Sequence, residues 1–437
     1  MLSMSLPIEE KMRSDWNDRA RSDAYYYVAS GRRHQNQEEF LSTGASIVPF
    51  LEATLNRVQT ETAPNARRIL EIGCGPGRLM LPLSRIVGEV HGIDVSDEMI
   101  SLAQESLRDI PGAHLYTGTG SDLAPLPAAQ FDYVYSFEVF QHIPSPAVVT
   151  RYLEEAVRVL KPGGVLCCQL RGAPSPPDAG ESETWVGCVY PAADAISLCR
   201  RMRINVLQLT GTTTQYMWLV ARKPLDKLPD TGSPSEAVLK AVTPTDNPYQ
   251  IISPTGPGAA FQCWLEGFPT FASLENIAVT IDGSPADCCY ISDHLGRGGF
   301  QLNVLMPPAV GCGTKRIRVY WKGKPVSGEC SVEVSAYPEL IPAIDDVTDG
   351  IDLLNKYNTT TGSLKILVTG LADPHQIRMS IDSHPIPVVP PQLCDPYLGT
   401  FEFAVTAPDL LVPGLHSLTV AARQWSQTVE VRSHTSE

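Results

Sequence analysis

What the 437 residues lack narrows the field first. No apolar run approaches the roughly 20 residues that a membrane helix needs. No membrane span is therefore expected, and Met1 to Asp15 shows no basic segment followed by an apolar one. Lysine and arginine never cluster: 34 basic side chains stand against 48 acidic ones, a formal charge of −14. Nucleic acid is held by gathered cations that displace counterions, so no nucleic-acid partner is expected. The 11 cysteines include no C-x-x-C pair and no companion His-x-x-x-His, and an odd number cannot all pair within one chain. Zinc, or any other metal, and a disulfide framework are thus not expected, and a reducing cytoplasm is the default location.

What is present divides the chain. Residues 1–225 hold 21 basic and 25 acidic side chains, and residues 226–437 hold 13 and 23, so the acidity sits mostly in the second half. The first half alternates short apolar strands with helical patterns, the mark of an α/β sheet covered on both faces. Seven strands are expected, near Arg68 to Ile72, Val90 to Asp94, Ala113 to Tyr116, Phe131 to Phe137, Gly164 to Leu170, Ile204 to Leu209 and Gln215 to Val220. Only Thr210 to Thr214 separates the last two, too short for a parallel crossover, so they should form an antiparallel hairpin at or near an edge. A helical segment, Ile8 to Ser30, precedes the first strand.

After Lys223-Pro224 the texture changes. Prolines 224, 229, 234, 244 and 248 suggest a linker over 224–248. Beyond it, short strand-like runs recur in an all-β sandwich rhythm. The half also repeats itself: Gly267 matches Gly370, Ile281-Asp282 matches Ile381-Asp382, Phe300 matches Phe401, and Val332-Glu333-Val334 matches Val429-Glu430-Val431. The expected division is 1–45 as a lid helix region, 46–223 as the α/β domain, and two sandwiches at 249–336 and 337–437. Asp282, Asp287, Asp293, Asp382 and Asp395 lack a calcium-loop spacing and read as turn acids. Trp264 and Trp321 read as core.

The strongest chemical signal is Glu71-Ile72-Gly73-Cys74-Gly75-Pro76-Gly77, where a strand becomes a helix. Glycines there allow positive φ and close backbone approach to a ligand. Asp94 follows at the tip of the next strand, where an acid can accept both hydroxyls of a ribose. The G-x-G-x-G spacing differs from the dinucleotide fingerprint. With Gly92 to Ser96, Gly120-Ser121-Asp122-Leu123, Phe131 to Ser136 and Arg158 to Gly164, residues 10 to 223 resemble the class I S-adenosylmethionine-dependent methyltransferases, with a seven-stranded Rossmann-like sheet. The β repeats resemble immunoglobulin-like modules of bacterial multidomain proteins, in architecture alone.

The resemblance implies S-adenosyl-L-methionine as cofactor and S-adenosyl-L-homocysteine as product. It implies that Gly73, Cys74, Gly75 and Gly77 pass under the methionine part and that Glu71 supports them. It further implies that Asp94 binds the ribose, that Val95, Met99 and Leu123 flank the adenine, that Asp122 accepts from its amino group, and that Phe137 closes the pocket. Methyl transfer is an in-line displacement that positioning alone can promote, so no catalytic side chain is obligatory. His142 is the candidate base for a hydroxyl acceptor, or else a residue that only fixes its loop. Glu138, Gln141, Gln169, Arg171, Gln215 and Tyr216 stand at strand ends that could face the acceptor. Trp16, Arg19 and Tyr26 look like part of a lid helix, and Ala173 to Val189 reads as a substrate-selecting loop. The expected acceptor is an O or N nucleophile on a small molecule or glycan. The alternatives are a protein methyltransferase or a scaffold with a vestigial cofactor domain, and the β repeats are candidates for self-association or a protein partner.

Overall fold

The computed structural model describes residues 7–29, 33–172, 183–212, 214–225, 237–247, 250–253, 256–269, 272–293, 299–307, 310, 312–335, 342–350, 356–371, 377–388, 392–395, 400–406, 410, 412–422 and 425–434. Most of the expected selecting loop, about half of the expected linker, and the expected boundary at Tyr337-Pro338 lie outside the described residues.

Seven strands, β1 (Arg68–Ile72), β2 (Glu89–Asp94), β3 (Ala113–Thr117), β4 (Phe131–Ser136), β5 (Leu160–Leu170), β6 (Asn205–Thr210) and β7 (Met217–Arg222), lie in the order β3-β2-β1-β4-β5-β7-β6. The first five run parallel, whereas β7 is antiparallel to both β5 and β6. Every residue of β4 is buried, as befits a central strand covered on both faces. Asp132 is buried within it and accepts from the Arg68 amide, the Thr60 hydroxyl and the Lys161 ammonium, which ties β4 to its surroundings. Ser96 caps the helix Asp97–Ser106 through the Met99 amide, as Ser96-Asp97-Glu98 predicts. The helix Pro146–Val159 turns Val149, Leu153 and Ala156 into the core at helical spacing. The N-terminal helix Ile8–Val28 bends at Asp23, whose backbone leaves helical geometry.

The sheet does not stop at the β6-β7 hairpin. Four strands of the first repeat continue it in the order Cys288–Ile291, Gly299–Leu305, Ala260–Glu266, Val238–Pro244, and Tyr290 pairs with Gln208 of β6. The sheet therefore has eleven strands, and one apolar core runs from Met12 to Val334. This corrects the expected seven-stranded sheet and the placing of the β6-β7 hairpin at or near an edge, and with them the readings of the linker, Asp293 and Trp264. The segment read as a linker contains the strand Val238–Pro244, whose prolines fall at its end and outside it. Asp293, read as a turn acid, pairs with two buried arginines, Arg222 at 2.5 Å and Arg57 at 3.3 Å. Glu275 of the same repeat accepts from the Val206 amide of β6 at 3.0 Å. Trp321 is core, but Trp264 is only half-buried and donates its indole N–H to Thr243.

The second repeat copies the first. Its four-stranded sheet runs Ala343–Asp349, Ser363–Thr369, Thr400–Thr406, Gln392–Asp395, matching the four strands above one for one. Its other sheet holds Asn358–Thr359, Trp425–Ser433, Gly414–Ala422, Ile377–Ile381 and His384–Ile386. The apolar core between them is its own. Asp282 and Asp382 are turn acids: each has positive φ, and each accepts from a backbone amide, of Arg316 and Ser417 respectively. Among the described residues no helix is long and apolar enough to cross a membrane.

Candidate functional site

The carboxyl ends of β1, β2 and β4 converge on a cavity of about 310 Å³. Gly73, Gly75 and Gly77 all take positive φ in the loop after β1. The Gly73 amide donates to the Ile93 carbonyl at 2.7 Å, which holds the loop against β2. A side chain at Gly73 would strike Val139 at 2.4 Å, so the tight approach forbids one as much as the backbone does. Asp94 ends β2, and one carboxylate oxygen accepts from the Gly75 amide and the other from the Ser96 amide, each at 2.9 Å. Backbone amides thus fix the plane of the carboxylate. Burial nonetheless raises its pKa.

Glu71 lies under the loop, 3% exposed, and accepts from the Tyr135 hydroxyl at 2.8 Å. Burial pushes its pKa up to about 8. The carboxyl is therefore largely protonated at neutral pH.

Beyond the loop the wall turns aromatic. Trp16, Tyr26 and Tyr27 of the N-terminal helix, Phe137, Trp185 and Tyr216 line the cavity together with Gln141, His142, Arg171 and Gln215. His142 is held by Nδ1, which donates to the Trp185 carbonyl, and by ring contacts with Trp16 and Trp185 at 5.4 and 4.9 Å between centroids. Its Nε2 is then the unprotonated nitrogen, 3.4 Å from the Gln141 amide nitrogen. Burial pushes its pKa down to about 4, so the ring is neutral above that pH. The Gln141 side-chain oxygen is buried and has no hydrogen-bond partner among the described residues. Glu138, at positive φ, pairs with Arg78 at 3.4 Å, and its own amide donates to Gln169.

The cavity brings together Glu71, Gly73, Cys74, Gly75, Asp94, Val95, Met99 and Phe137 at one end, with Trp16, Tyr26, Glu138, Gln141, His142, Arg171, Gln215 and Tyr216 elsewhere around it. Five expected residues do not line it. Gly77 sits one turn beyond, close to Leu107. Asp122 bends its carboxylate onto its own loop, accepting from Thr119 and Ala124, and Leu123 is core. Arg19 reaches across to Thr184 and covers Trp16 and Trp185, and Gln169 orients Glu138. Sequence reasoning missed Met12, Arg78 and Tyr152 as lining residues, whereas Trp185 comes from the segment Ala173 to Val189 expected to select substrate. Also missed were Gly350, Lys365, Glu402 and Ala404, which reach the cavity from the second repeat and carry no local signal.

Away from the cavity, at the opposite end of β2, Glu89, His91 and His114 cluster closely enough to hold a metal. Arg68 pairs with Glu89 at 3.0 Å and Tyr116 bonds His91 at 3.1 Å, so the cluster satisfies itself by hydrogen bonds.

Residues 70–168 match the model of a family described as a methyltransferase domain, and the chain carries such a domain. It is 34% identical over 134 residues to an uncharacterized methyltransferase of Schizosaccharomyces pombe, 28% of this chain and 43% of that protein. It is 32% identical over 113 residues to a ubiquinone biosynthesis O-methyltransferase of Xanthomonas axonopodis, 26% of this chain and 46% of that protein. The chain spans less than half the length of these curated relatives. Magnesium protoporphyrin IX methyltransferase from Synechocystis, solved with S-adenosylmethionine, is 19% identical, with a TM-score of 0.37 over 51% of this chain and 99% of that one.

Proposed function

We propose that the chain transfers a methyl group from S-adenosylmethionine to a hydroxyl of a small molecule. One observation carries the reading: the positive-φ glycine loop and Asp94, joined by the Gly75 amide at 2.9 Å, open into the same cavity as an aromatic wall with His142. The residues fit the cofactor. Asp94 offers two fixed oxygens to a ribose diol, Val95 and Met99 offer apolar faces to an adenine, and the glycine loop admits the methionine part without a side chain in the way. When bound, the sulfonium supplies an electrophilic methyl group.

The chain's own part is positioning and desolvation. The rings of Trp16, Trp185 and Tyr216 orient an acceptor. His142, neutral and with Nε2 unprotonated, exchanges its Gln141 amide donor for the acceptor's hydroxyl and turns an oxygen lone pair toward the methyl group. A ring that protonates only near pH 4 holds a proton weakly, so His142 acts as an orienting acceptor more than as a base, and the hydroxyl proton passes on to water as the new C–O bond forms. The relatives named for O-methylation in ubiquinone biosynthesis support oxygen as the nucleophile. Calorimetry with S-adenosylmethionine and S-adenosylhomocysteine tests the reading: both should bind, and Asp94→Ala should weaken binding by about 2 kcal/mol. No binding at high micromolar concentration removes the proposal.

A further inference from the structure

The second repeat is more than an appendage to the cavity. The two central strands of its four-stranded sheet alternate: Leu364, Ile366 and Val368, with Phe403 and Val405, point into the repeat's own core. The opposite face carries Lys365, paired in register with Ala404, and Glu402 beside them. Lys365, Glu402 and Ala404 all line the same cavity as His142 and Trp16. A sheet face that needed only solvent would have no cause to present its residues there.

We infer that this face is a wall of the acceptor subsite, and that Lys365 and Glu402 bind a neutral, hydroxyl-bearing extension of the acceptor. The inference rests on the methyltransferase reading above. Its chemistry follows from pairing. The Lys365 ammonium lies 3.7 Å from a Glu402 oxygen, both side chains about a quarter to a fifth exposed. Paired, they cancel each other's charge and offer little to an anion, but they place N–H donors beside carboxylate acceptors. A hydroxyl, which donates and accepts at once, meets both. Arg78 and Glu138, which line the same cavity, are likewise paired. The aromatic rings of the same cavity supply faces for the C–H surface of a sugar ring. A hydroxylated aromatic carrying a sugar therefore fits the two walls together.

The test uses the full-length protein loaded with S-adenosylhomocysteine and two neutral phenols: arbutin, which carries glucose, and hydroquinone, which does not. Calorimetry should show that Lys365→Met weakens arbutin by about fivefold, the loss of one hydrogen bond, and leaves hydroquinone unchanged. Ala404→Trp, which fills the cavity from that wall, should abolish arbutin binding. Leu415→Trp, on an exposed position of the repeat's other sheet, should have no effect. S-adenosylhomocysteine should bind all of these variants equally. If S-adenosylhomocysteine fails to bind the unaltered protein, the methyltransferase reading falls. If it binds but arbutin does not, or Ala404→Trp matches Leu415→Trp, or Lys365→Met affects both phenols alike, this inference is overturned while that reading stands.

Discussion

The two β repeats share strand order, turn chemistry and an alternating core, yet they join the rest of the molecule by different surfaces. The first uses its edge: Cys288–Ile291 lies against β6, Asp293 bridges Arg57 and Arg222, and the apolar core is continuous. The second uses a face. The equivalent strand, Gln392–Asp395, ends its sheet, and the broad side of that sheet looks into the cavity. Edge joining makes one folding unit of two sequences, because hydrogen bonds and core cross the boundary together. Face joining leaves the second repeat with its own core and lets its exposed residues vary without cost to its fold.

That contrast can be broken by experiment. The largest effect is expected from Phe403→Ala, which removes a fully buried ring from the second repeat and should cost about 3–5 kcal/mol. Calorimetric melting should show the loss in a small separate transition, with S-adenosylhomocysteine affinity unchanged. A single shared transition would mean that the second repeat is welded as the first is. Next, Asp293→Ala should lower the main transition by about 3 kcal/mol, at the low end for a broken buried pair because the carboxylate itself keeps 36% exposure. The small transition should not move. Leu302→Ala, in the strand equivalent to that of Phe403, should cost about 2–5 kcal/mol but register in the main transition. The smallest effect concerns the shared turn. Where the first repeat has Gly283 at φ 86, the second has Ser383 at φ 71. Ser383→Gly should stabilise the second repeat by about 1 kcal/mol and leave the first untouched, read as a rise in the small transition alone.

Much of this was legible in the residues. The glycine loop, Asp94 and the Ser96 cap are local signals, since φ, spacing and capping act within a few positions. The internal repeat was legible because each pair of matched strands has the same neighbours in sequence. What escaped was long-range. Nothing near Tyr290 or Gln208 marks them as partners, because a strand edge offers the same backbone groups to any neighbour. Asp293 reads as a turn acid until Arg57 and Arg222 arrive from distant parts of the chain. Asp122 sits in the expected place, yet its carboxylate satisfies its own loop, a choice of rotamer that spacing does not encode. Lys365 and Glu402 were invisible as cavity residues for the same reason: their strands are explained fully by their own core.

The edge pairing at β6 also carries a warning about cutting the chain where its motifs end. A fragment stopping at Lys223 would keep the glycine loop, Asp94 and His142, but it would uncover the outer side of β6 and leave the Val206 amide without the Glu275 carboxylate. Arg57 and Arg222 would lose their shared counter-ion in the same stroke. A bare strand edge beside stranded apolar surface is a template for other chains, so such a fragment should aggregate.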